Sequence, residues 1–106
     1  MAATAPDRPA AARRASQRAR ASVREITLDE LAAHGARVPA APLTTELDWY
    51  ARRDGRAVAV VRRDHRTSSY EYLVLAGTEV VARRSGISDR CAACSQAVAA
   101  LEELPN

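Results

Sequence analysis

Lysine is absent from this chain, and so is phenylalanine; all sixteen basic side chains are arginine. Together with an excess of alanine, this is the signature of GC-rich coding of the bacterial kind. The identity of an arginine therefore says little by itself about a chosen guanidinium role. Trp49 is the one tryptophan, and large core-forming side chains are few. No apolar run reaches the length of a membrane span, and the N-terminus lacks the apolar centre of a secretory signal. The expectation is a cytoplasmic chain with no membrane partner. Only two cysteines are present, Cys91 and Cys94, and in a reducing compartment they are not expected to form a structural disulfide.

Catalytic signatures are equally scarce. The four glycines, Gly35, Gly55, Gly77 and Gly86, are spaced as turn markers and form no phosphate-cradling loop. There is no Gly-x-Ser-x-Gly elbow. Asp64, His65, Ser68 and Ser69 are the residue types of a hydrolase triad, but crowded into one loop they read as a polar hairpin connection. No catalytic residue is assigned, and the chain is expected not to be an enzyme and to need no cofactor.

What the chain does have is a strong division of charge. Of its 106 residues, room for one small domain, the first 24 hold six arginines and one aspartate. Residues 25–106 hold ten arginines against twelve acids, so the net charge of +3 resides in the tail. Residues 1–24 have almost no large apolar side chain to offset chain entropy and read as a disordered basic tail, with 25–106 as a single domain. Arg13, Arg14, Arg18, Arg20 and Arg24 are the candidate nucleic-acid contacts, since an arginine-rich arm can track phosphates without reading sequence. No aromatic residue is interleaved among them, so base stacking is not offered there.

The domain reads as α+β. In "ITLDEL", Thr27 and Glu30 form a capping box and Ile26 and Leu31 a hydrophobic staple, with Gly35 as the stop, so 28–34 is a short helix. "VPAAPL" runs extended. "LDWYARR" alternates Leu47, Trp49 and Ala51 against Asp48, Tyr50 and Arg52, and ends at the turn-forming pair Asp54-Gly55. "RAVAVVRR", "YEYLVLA" and "EVVARR" supply three further strands, giving a four-stranded antiparallel meander. Arg52-Arg53, Arg62-Arg63 and Arg83-Arg84 fall at strand ends and read as solvated positions with scattered ion pairs. From Ser88 or Asp89 a closing helix begins, and Cys91, Cys94, Val98 and Leu101 recur at helical steps as the stripe packed on the sheet.

Cys91-x-x-Cys94 admits three readings: core packing, a thiol redox switch, and half of a metal site. The metal reading would need His34 and His65 from separate elements, and an isolated pair is a weak signal, so core packing leads and no metal ligand is assigned. The stretch "DWYARRDGRAVAVVRRD" with "YEYLVLA" and a final helix resembles a group of small bacterial proteins, some borne on phages and plasmids. That resemblance covers about half of the chain, implies the meander, and brings no activity with it. The function expected is a non-enzymatic interaction module, working through a sheet face, a strand edge or the arm. Its partner would be another protein or a second copy at a sheet edge. The alternatives are nucleic-acid association through the tail and thiol redox or metal chemistry at the cysteines.

Overall fold

The computed structural model describes residues 22–105. Its elements run β1 (Val23–Ile26), α1 (Leu28–Ala33), β2 (Thr44–Arg52), β3 (Val58–Asp64), β4 (Ser69–Ala76), β5 (Glu79–Ile87) and α2 (Arg90–Glu103). The five strands form one sheet in the order β1-β2-β3-β4-β5, every neighbour antiparallel. The architecture is α+β with a C-terminal helix on an antiparallel sheet, but the sheet has five strands where the sequence suggested four.

The additional strand is β1, whose residues Val23 to Ile26 pair with Arg52 to Trp49. Only its ends are apolar and buried: Val23 turns to one sheet face and Ile26 to the other. A four-residue segment with that pattern shows neither period 2 nor a long apolar run. Composition therefore assigned Val23 and Arg24 to the tail. Beyond it, Thr27 accepts from the Glu30 N–H and the Glu30 carboxylate accepts from the Thr27 N–H, closing the capping box of α1. Ile26 and Leu31 are buried in one cluster, which is the packing a staple requires.

Strand β2 begins at Thr44, earlier than alternation indicated, and its ladder with β3 slips between Glu46 and Asp48. The bulge takes Leu47 out of the Trp49–Ala51 series. At the hairpin, Arg52 N–H donates to Ala57 O, and Gly55 (φ +77°) supplies the left-handed turn residue. Val58 to Val61 of β3 are buried on both faces, as suits a continuous apolar run in a central strand.

Two cores result. On one face, Val23, Ala59, Val61, Val74 and Ile87 pack against Ala93, Ala97 and Leu101 of α2. On the other, Ile26, Val58, Val60, Leu73 and Leu75 of the sheet pack against Leu31 of α1 and the connecting segment 36–43, which we call the strap. The buried line of α2 is thus Ala93–Ala97–Leu101, not the expected series through Cys91. Cys91 is exposed, and Cys94 and Val98 flank the contact. Alanines on the buried line let the helix axis approach a sheet face carrying Tyr50, Tyr70 and Tyr72, which fill the space to either side.

Candidate functional site

The strap and α1 do not cover their sheet face completely. Between them and β2–β3 is a groove of about 450 Å³, lined among others by Leu28, Pro39, Glu46, Trp49 and Arg62. Arg62 is 2% exposed, which corrects the reading of the strand-end arginines as solvated. Its Nε donates to Glu71 Oε2, and its Nη1 donates to Pro39 O at 2.7 Å, tying the strap to the sheet. Glu71 is 4% exposed and also accepts from Arg83 Nη2 at 3.2 Å. One buried carboxylate thus serves two guanidinium groups, and its burial is tolerable because each of its oxygens accepts a charge-assisted hydrogen bond.

The strap's far end is pinned in the same way. Thr44 Oγ1 donates to Ala41 O at 2.8 Å, and His65 N–H donates to Leu43 O at 2.9 Å. Leu43 is held at φ +59°, a left-handed conformation unusual for a bulky residue, and is 64% exposed. Leu28, on the groove wall, is 54% exposed. Trp49 Nε1 donates to Glu46 Oε1 at 3.0 Å, fixing the indole as one wall.

A second polar cluster lies under the first turn of α2. Asp48, 9% exposed, receives Arg90 Nε and Nη2, both at 3.0 Å, and the Cys94 thiol at 3.2 Å. The fork of Arg90 holds the Asp48 carboxyl below the usual aspartate range, against the opposing effect of burial. Burial pushes the Cys94 thiol up, and its place beside the Asp48 carboxylate adds to that, while the Tyr50 hydroxyl opposes it. Tyr50 itself is pushed up, chiefly by burial. Cys94 is therefore a thiol held in its neutral form, a hydrogen-bond donor and not an activated nucleophile. Cys91 lies exposed on the same helix. Among the described residues, no group of three or more His, Cys, Asp or Glu is placed to hold a metal ion.

The other candidate residues are dispersed. Arg13, Arg14, Arg18 and Arg20 lie outside the described residues. Arg24 belongs to β1, where its Nη1 is 2.8 Å from Glu30 Oε2. Asp64 binds the main chain and guanidinium of Arg66, whereas His65 Nε2 is 2.7 Å from Thr45 Oγ1, so both support the turn. Arg63 stacks on Tyr70, with its guanidinium carbon 5.6 Å from the ring centre. At the sheet edges, β1 has only four residues, and the β5 ladder slips at Val74/Leu75 and again at Tyr70/Tyr72. Slips of this kind, with Arg83 and Arg84 on the strand, discourage strand addition.

The buried pair was missed by reading Arg62 as a solvated strand-end charge, although the signal was present. Arg62 is in phase with Val58 and Val60, Glu71 is in phase with Leu73 and Leu75, and the two are partners across β3–β4. Among the described residues, no helix is long and apolar enough to cross a membrane. No protein-family model, no curated protein and no solved structure matches this chain.

Proposed function

We propose that this chain is a non-enzymatic interaction module that engages a protein partner through the outer surface of the strap and α1, the layer that covers one sheet face. The observation that carries the reading is Leu43, a bulky apolar residue displayed to solvent in strained left-handed backbone. Such a conformation costs about 1–2 kcal/mol, and strain of that kind concentrates at functional surfaces. Leu28, on the groove wall, is a second large apolar side chain exposed to solvent. The bulged and arginine-bearing β5 edge is less suited to the role than the layer formed by the strap and α1. Nucleic-acid association through the tail gains no support from Arg24, whose guanidinium is held by Glu30. A thiol-redox role gains none from Cys94, whose thiol is held neutral.

The test is a paired affinity capture with the full chain and its Leu28→Ser/Leu43→Gly variant, using cells that express the protein naturally. Glycine relieves the strain at position 43 and both sites are exposed, so the variant should keep the wild-type unfolding midpoint. A partner retained by wild type and lost by the variant is the expected outcome. Identical captured proteins from both would overturn the reading.

A further inference from the structure

We infer that the groove under the strap is a binding site for a small zwitterion, an α-amino acid with an apolar side chain. This goes beyond the partner reading and does not depend on the partner's identity. Glu46 and Arg62 are direct register partners across β2–β3 and both line the groove. Partners on opposed antiparallel strands stand about 4.5–5.5 Å apart at Cα, ordinarily close enough for an ion pair. Yet these two are joined to other groups: Glu46 to Trp49, Arg62 to Glu71 and Pro39. A carboxylate and a guanidinium thus line the same groove as neighbours without neutralising each other. An α-amino acid carries its ammonium and its carboxylate on one carbon, a spacing suited to two such neighbours.

Each charge retains bonding capacity. A guanidinium has five N–H donors, and Arg62 commits Nε and one donor on Nη1, so Nη2 makes no hydrogen bond among the described residues. Its burial fixes its position, and a charge-assisted bond in such surroundings is stronger than one in water. Arg62 and Arg83 share the single carboxylate of Glu71, so the group keeps one positive charge for an incoming carboxylate. Glu46 uses Oε1 for the Trp49 indole, leaving Oε2 for an ammonium. The Ala40 and Ala41 N–H groups, on the strap wall, donate to no backbone carbonyl among the described residues and are further donors for the carboxylate. Leu28, Pro39 and the face of Trp49 supply the apolar contact, and the groove's volume of about 450 Å³ lies within the range of small-molecule sites.

Because Trp49 is the one tryptophan of the chain, its fluorescence reports on this groove directly. L-Leucine, N-acetyl-L-leucine and L-leucinamide are titrated into the full chain. Leucine should give a saturable change, and each blocked analogue should bind about tenfold or more weakly, as expected for one lost charge-assisted contact. Glu46→Gln keeps an acceptor for the indole and should leave the fold intact while abolishing the preference for leucine over N-acetyl-leucine. Arg62→Gln should abolish the preference for leucine over leucinamide, and its fold is checked by circular dichroism. If Arg62→Gln does not fold, Glu46→Gln alone decides. No response to leucine, equal responses to the blocked analogues, or an unchanged preference in Glu46→Gln would overturn the inference. Partner capture through Leu28 and Leu43 would be unaffected by that failure, so the two readings fall separately.

Discussion

Arg62 and Glu71 show how much can rest on one pair of charges inside a small sheet. Both are almost fully buried, and Arg62 also holds the strap through Pro39 O. Arg62→Met should destabilise the fold by about 3–5 kcal/mol, because among the described residues it leaves the buried Glu71 carboxylate with the exposed Arg83 as its one ion-pair partner. Arg62→Met combined with Glu71→Leu should recover most of that loss, since an apolar pair of similar volume carries no unmet charge. Urea unfolding of the three proteins measures both effects; equal losses in the single and double variants would contradict this account. Asp48 sets the acid response. Its folded-state value is depressed, chiefly by Arg90, so its contribution is present above the ordinary value of 3.8 and is lost as pH falls through the lower folded value. Asp48→Asn should therefore be less stable than wild type by about 1–2 kcal/mol at neutral pH, a modest figure because Arg90 is half in solvent. The difference should close below the ordinary aspartate range, as read from unfolding midpoints against pH.

The element that most changes in meaning is α2. Its spacing of Cys91, Cys94, Val98 and Leu101 is helical, and helix it is, but the face was assigned one step away from the true contact line of Ala93, Ala97 and Leu101. Hydrophobicity alone favours the larger side chains as the buried stripe, whereas the sheet beneath already carries three tyrosines and accepts alanines. The Asp89 cap and the fork of Arg90 on Asp48 then set the rotation of the first turn. The two cysteines should accordingly differ in native thiol labelling. Cys91 should react at a rate close to that of a free thiol. Cys94, partly buried and held neutral beside Asp48, should lag well behind until the protein is unfolded. Equal native rates would show that the first turn is turned otherwise. By contrast, α1 was legible at both ends, because a capping box, a staple and a terminal glycine are local features that need no tertiary partner.

At the scale of the whole molecule, β3 belongs to both cores: Ala59 and Val61 face α2, while Val58 and Val60 face the strap. Neither layer can loosen without exposing that strand. Trp49 fluorescence, which reports the strap side, should therefore unfold in urea together with the far-ultraviolet circular dichroism signal, in one transition. An earlier loss of the Trp49 signal would mean that the strap opens independently. The α+β class, the helix ends, the hairpin turns and the valine-rich central strand were determined by the sequence itself, because capping residues, turn residues and period-2 alternation act between neighbours in the chain. Tertiary structure alone decided the fifth strand, the rotation of α2 and the groove. β1 has meaning only beside Arg52 to Trp49, and α2 turns its alanines inward only above that tyrosine-bearing face. Glu46 and Arg62 become neighbours without becoming partners only after Trp49, Glu71 and the strap have claimed their other bonds. Those outcomes depend on which groups compete for a side chain in space, and no periodicity along the chain encodes that competition.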